Sequence, residues 1–577
     1  MRRGRAAALT GLWIAIVAIP CAGSAARAQG APASIRCDGM RVSRIEITSG
    51  RPLFEGTMGR WRNVARAIGL HHTTTHERVI AAFVALHVGD ECTDVRRAES
   101  ERLLRAQPFL ASASVRTVPD GPGQAAVLVE TRDEAPLLLN ARFHGIRPEA
   151  FSLGNGNIGG EALLAEARME RGYNYRTAVG GRLTDYATFG RPYVGTIEGE
   201  RQTIGYWLDS RLEHPFFTDL QRVAWHLEFG TAHGYPGIVR PARDALTLGV
   251  RQDRWDASTV ARLFGTKTVL LVGAGFSGLR IVPDTIGTVI TDTGAVIDTG
   301  TALHNRYTPF RAGRLGVLGG VRRLAYRTVR GFDALTAQQD VAGGLAGGVF
   351  VGHGLSALGE TDFFLSGAAY GGKATEHTLL AGMTAVEGRR PVGQRDWDSI
   401  IGSGRVAYYM GGGPGFMFTT DDEYSLGVRP RLPMQLWLGD WRGGIIGYHN
   451  STIAGARRNV VRTELRWSGA SLVRGADVGF AALGQLGTMW AGDAPYGVNA
   501  TRTSIGFSVL AAYPTGSKRL YRADIGFPLR RGQVGGGGIE VRFTSEDRTQ
   551  TFWREPDDVQ RSRTGSAPSA LFTAQSQ

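Results

Sequence analysis

Between residues 136 and 543 apolar and polar positions alternate, and the alternation recurs in stretch after stretch. Val223, Trp225, Leu227 and Phe229 share one face of an extended strand, opposite Arg222, Ala224, His226 and Glu228. The same period sets Val461, Thr463, Leu465 and Trp467 against Arg462, Glu464 and Arg466, and Tyr521, Ala523, Ile525 and Phe527 against Arg522, Asp524 and Gly526. A soluble sandwich alternates too. Here, however, full charges of both signs recur on the polar face, as in a wet lumen, and aromatics recur on the apolar face, as at a headgroup zone. The pattern predicts a mainly β fold, a transmembrane antiparallel β-barrel whose closure leaves no unpaired edge in lipid. At about 25 residues per strand with its turn and loop, this length predicts about sixteen strands.

Residues 37–135 follow a different pattern. The segment 42–48 alternates as a strand. Thr74-Thr75-His76-Glu77 has capping-box spacing before the apolar run 79–86, which predicts a helix. Thr93 is the expected N-cap of a second helix that turns Val95, Ala98, Leu103 and Ala106 to one side and stops at Pro108. Strands at 112–118 and 125–130 then meet across the turn Pro119-Asp120-Gly121. The order is β-α-α-β-β.

Composition narrows the setting. Arg2, Arg3 and Arg5, an apolar run at 12–19 and Ala26-Arg27-Ala28 read as a secretory signal over residues 1–28. Its removal takes four arginines and no acid from the formal charge of +14. In an exported chain, anionic lipid headgroups or a polar lumen account for the remaining excess, and nucleic acid does not. The mature cysteines, Cys37 and Cys92, can form one disulfide in an oxidising compartment or stay as two buried thiols; the compartment favours the bridge. No other stretch is long and apolar enough for a spanning helix.

Competing chemistry is weak. The run Gly273, Gly275, Gly278 after an apolar strand has the dinucleotide spacing G-x-G-x-x-G, but Pro283, Asp284 and Gly287 leave no room for the helix that motif needs. Those glycines read instead as close-packed wall positions. His71, His72 and His76 do not share one helical face and lack a completing ligand, so they read as a solvated loop and helix start. Metalloprotease, Walker, nucleophile-elbow and C-x-x-C signatures are missing from the sequence, so no enzyme activity and no cofactor is expected.

Four residues, Val329, Arg330, Gly331 and Phe332, resemble the VRGF/Y signature in the sixth extracellular loop of the BamA/TamA superfamily of outer-membrane assembly and translocation barrels. The resemblance implies a loop folded back into the barrel, with Arg330 docked on the inner wall. In that family the wall partner is the aspartate of an F-x-D-x-G-x-x-W strand. Here Gly487 and Trp490 match the end of the pattern, Gln485 stands at the aspartate position, and Asp477 in a nearby G-x-D-x-G is the second candidate. Gly538, Val541 and Phe543 resemble the β-signal of the last barrel strand, and the polar tail 544–577 is expected to lie disordered in the periplasm. Gly535 to Gly538 would weaken pairing at the start of that strand, which would let the barrel open where it closes on a first strand near 137–143.

The N-terminal segment resembles a single POTRA domain, carried by Val88-Gly89-Asp90, by Leu104-Arg105 with Phe109, and by Val115. Such domains bind extended clients by strand addition. Together these resemblances imply a protein of the bacterial outer membrane that inserts or translocates polypeptides, with its POTRA in the periplasm. Its expected partners are membrane lipids, unfolded or extended client chains, and a periplasmic protein at the POTRA. A passive porin-like or surface-exposed structural barrel is the alternative, and a soluble exported glycine-rich β-protein is a third.

Overall fold

Alternation becomes a barrel in the computed structural model of the chain, which describes residues 34–50, 73–144, 147–172, 175–241, 245–265, 267–291, 294–473, 475–530, 537–547 and 552–565. The signal at 1–28, His71 and His72 lie outside them. Among the described residues, twenty antiparallel strands pair in chain order from Leu137–His144 to Glu540–Asp547, and the last pairs with the first. This corrects the expectation of about sixteen. Many connections are only a few residues long, such as those after Gln202, Ala374, Gly411 and Val473, so each strand takes less chain than the allowance assumed.

The barrel is inside out relative to a soluble domain. Leu227, Phe229, Val317, Leu345, Phe416 and Phe507 stand exposed on its outer surface, while Arg314, Arg322, Arg389 and Arg458 are among the largest fully buried side chains. Those inner arginines are matched. Arg314 meets Asp362 at 2.8 Å, Arg322 meets Asp219 at 2.8 Å, Arg389 meets Asp398 at 2.6 Å and Arg458 meets Asp558 at 2.7 Å. Pairing is what allows such charges to sit away from bulk water.

The glycine run at 273–278 lies inside the strand Val269–Pro283 and opens no helix. A Cβ on Gly278 would sit 1.9 Å from Nε1 of Trp255, its partner on the neighbouring strand. Any side chain there would have to displace the indole, so the position is a close-packed one.

The N-terminal domain consists of β1 (Met40–Gly50), α1 (Glu77–Ala81), β2 (Glu91–Cys92), α2 (Asp94–Arg105), β3 (Leu110–Pro119) and β4 (Gln124–Asp133). Its sheet runs β2-β1-β4-β3, with β1 parallel to β4. Thr93 caps α2 by accepting the Arg96 amide at 3.3 Å. The capping box expected before α1 does not form. The helix starts instead after His76, whose side chain makes no cap bond, while Thr75 donates its amide and its hydroxyl to Asp133 of β4, both at 2.8 Å, and α1 lasts five residues. Cys37 and Cys92 are bridged.

This domain docks on one end of the barrel, called here the near end. Ala162 and Ala187, from two barrel turns, are part of its buried apolar core alongside Phe83, Leu104, Phe109 and Val127. Polar ties surround that contact. Arg105 grips Asp340 with two bonds of 3.0 Å, and Lys518 donates from Nζ to the Gln107 carbonyl at 2.8 Å.

Candidate functional site: the lumen and the seam

Three segments enter the lumen, and each is held by inward-facing wall residues. The first is the near-end turn 331–337, between the strands Phe310–Arg330 and Gln338–Gly354. Val329-Arg330-Gly331-Phe332 therefore ends a strand at the near end and is not part of a far-end loop. Arg330 is exposed, and among the described residues its side chain makes no hydrogen bond or ion pair. The inward anchor is Phe332, fully buried and stacked on Tyr409 at 5.6 Å. Arg466 reaches the Phe332 carbonyl from the wall at 3.2 Å, and Leu335 packs on Ala481, Leu510, Ala512 and Leu520. Asp477 receives this turn by accepting the Thr336 hydroxyl and also the Gly516 amide. Gly331 has φ +78°, and a Cβ there would lie 2.8 Å from the Gly413 nitrogen. Only glycine suits both constraints.

The second segment is the far-end loop 429–456, between the strands Gly415–Val428 and Arg457–Val473. Its apolar residues Met434, Leu436, Leu438, Ile445, Tyr448 and Ile453 form a buried cluster with wall residues Ile401, Val460 and Met489. Gln485 is where this loop docks, since its Oε1 accepts the Ile446 amide at 2.8 Å. A Cβ on Gly487 would lie 2.6 Å from Leu438, so that wall position is shaped to the loop. Trp490 stands exposed on the outer surface, edge-on to Tyr424 at 6.5 Å, while its carbonyl holds the loop's end by accepting the Ala456 amide at 3.0 Å. The wall positions predicted to meet one arginine thus serve two loops. Asp477 holds the near-end turn, and Gln485 with Gly487 holds the far-end loop.

The third segment is 552–565, which follows the last strand and packs among wall residues of the lumen. The tail 544–577 is expected to lie disordered outside the barrel; residues 544–547 instead extend the last strand and 552–565 lie in the lumen, because polar and charged groups of the segment meet partners on the wall. Asp558 takes Arg458 with bonds of 2.7 and 3.0 Å, and Trp553 donates to Glu423 at 3.2 Å.

Where the barrel closes, pairing is thin. The strands Leu137–His144 and Glu540–Asp547 share four register pairs, against seventeen between Phe310–Arg330 and Gln338–Gly354. Two side-chain bonds extend the contact, from Leu139 to Ser545 and from Ser545 to Asn140, both at 2.9 Å. Val541 and Phe543 face outward, and Phe543 meets Phe143 edge-on at 5.9 Å. Gly538 precedes the strand and donates its amide to the Gly447 carbonyl at 2.9 Å. Inside, the far-end loop spans the seam. The Trp441 ring lies 5.0 Å from the Arg142 guanidinium on the first strand and 4.6 Å from that of Arg542 on the last. Gly447 donates to Glu540 at 2.8 Å.

Sequence reasoning missed the far-end loop and the lumenal position of 552–565. A long break in alternation filled with apolar residues is the signal for the first, because extended surface loops of that length are uncommon. For the second the signal is Phe552, Trp553 and Val559 in an otherwise polar tail.

No protein-family model and no curated protein matches the chain. Among solved structures it is similar to CdiB from Escherichia coli, with 11% identity, 88% of this chain and 76% of that chain covered, and a TM-score of 0.47. CdiB from Acinetobacter baumannii is 8% identical over 88% and 73% of the two chains, at a TM-score of 0.41. BamA from Haemophilus ducreyi lacking POTRA domains 1–3 is 10% identical over 88% and 85%, at 0.37.

Proposed function

We propose that the chain is an outer-membrane barrel that inserts or translocates polypeptides, with its N-terminal domain acting as a periplasmic POTRA. The observation that carries this reading is the seam. A ladder hydrogen bond is worth a net ~0.5–1.5 kcal/mol, so the closure with four register pairs is the cheapest place to part the wall. A client strand that pairs with either freed edge replaces the lost bonds, which is strand addition at a membrane. No covalent step is involved.

A passive pore fits less well, because three segments occupy the lumen and Trp441 braces the seam from inside. The exposed apolar belt supports lipid contact, where unpaired edges are costly and closure is favoured.

The test is a cysteine at each of Ala141 and Phe543, which face each other across the seam. Oxidation is expected to lower the envelope levels of other outer-membrane or secreted proteins, and reductant to restore them, with each single cysteine as control. Unchanged levels with the seam fully bridged would rule out the proposal. Deletion of residues 37–135 separates the readings further, since a passive barrel predicts no change in those levels.

A further inference from the structure

We infer that residues 552–565 are a plug bound in cis to a peptide site on the inner wall, and that this segment leaves the lumen when the barrel conducts. This does not depend on the barrel handling polypeptides.

The wall carries a site built for the segment. Glu387 is fully buried, and among the described residues every hydrogen-bond partner of its carboxylate belongs to the segment. These are the Thr564 amide at 2.6 Å, the Thr564 hydroxyl at 3.1 Å and Arg563 Nη1 at 3.4 Å. Arg405 donates to the Phe552 carbonyl at 2.6 Å, and Tyr370 meets the Phe552 ring edge-on at 5.8 Å. Arg458 holds Asp558, and Arg314 donates to the Thr564 carbonyl at 3.2 Å. At the end of the segment, a Cβ on Gly565 would lie 2.4 Å from Phe364. The site therefore recognises a short peptide with an aromatic pair at one end, an acidic turn in the middle and a basic residue before its close.

The chemistry of the contact suits release. Most of it consists of charge-assisted bonds to wall groups of both signs, and water can take over such bonds once the segment withdraws. A permanently seated plug would instead be held mainly by burial of apolar surface, and here Phe552, Trp553, Pro556 and Val559 supply it while the other contacts are polar. The near-end turn shares the arrangement, because Phe332, Phe552 and Trp553 lie in one buried cluster.

The test uses the full-length protein in planar lipid bilayers. In the variant Asp558→Arg with Arg563→Glu, like charges face Arg458 and Glu387. A several-fold rise in mean conductance over wild type is expected, reversed when a synthetic peptide of residues 552–565 is added. In a second variant, Ser403→Cys with Glu555→Cys, a reducible thiol-reactive crosslinker long enough to replace the two carbons lost from Glu555 would bridge the two positions and lock the segment at a contact it already makes. Loss of the wild-type openings until reductant is added is the expected result. The inference is overturned if charge reversal leaves conductance at the wild-type level, or if no bridge forms between positions 403 and 555. Should the charge-reversed chain fail to fold, the locked variant decides alone, and a locked barrel that conducts like wild type overturns it.

Discussion

Replacing Phe332 by alanine separates the anchor of the near-end turn from the arginine beside it. The ring is fully buried, stacks on Tyr409 and belongs to a cluster with Val341, Tyr370 and Met417. Its loss is expected to cost ~3–5 kcal/mol, toward the upper end because strands pinned in a ladder cannot collapse into the cavity. Arg330→Ala removes an exposed side chain and should stay within about 0.5 kcal/mol. Hydrogen exchange reads this difference locally. The Gly331 amide donates to the Ala337 carbonyl at 3.3 Å and the Asp333 amide to Gln339 at 2.9 Å, so both report opening of the turn. At about 1.4 kcal/mol per tenfold, Phe332→Ala should speed their exchange by about a hundredfold or more. Arg330→Ala should speed it by less than about threefold. Equal acceleration in the two variants, or none in Phe332→Ala, would refute the assignment of Phe332 as the anchor.

Other positions give equally direct tests. Gly487→Leu drives a side chain into Leu438 and should cost ~1–3 kcal/mol of loop docking, seen as new protease cleavage within 429–456. Trp441→Ala removes two cation–π contacts worth ~0.5–2 kcal/mol each. Exchange should then rise in Leu137–His144 and Glu540–Asp547 and stay unchanged in Phe310–Arg330. Replacing Cys37 and Cys92 by serine should destabilise the N-terminal domain by ~2–4 kcal/mol, with proteolysis in 37–135 while the barrel keeps its heat-dependent shift in gel mobility.

The sequence made the barrel legible because a strand sorts its side chains with a period of two, whatever surrounds it. Val223, Leu227 and Phe229 could be placed on one face without knowing what lay beyond. The number of strands was less legible, since it depends on how short the turns are. Loop destinations were least legible of all. The letters Val329 to Phe332 suggested an inward loop, and the turn does enter the lumen, but whether Arg330 or Phe332 faces inward is set by where the strand ends. The resemblance sets Gln485 where the family has an aspartate that meets the loop arginine. Its amide oxygen instead accepts a backbone N–H from another loop, a task that needs no charge. The polarity of the tail predicts disorder. Polar composition predicts disorder only when nothing polar waits to receive it, and Glu387, Arg405 and Arg458 lie far from it in sequence.

The sharing of Ala162 and Ala187 between the barrel turns and the N-terminal core bears on how the two parts can move. A domain with a complete core of its own can pivot on a linker while its fold stays intact. This one would expose part of its interior on separating, so swinging away and losing stability are the same event for it. It should therefore behave as a fixed bracket, holding whatever it binds at a constant distance and angle from the barrel mouth.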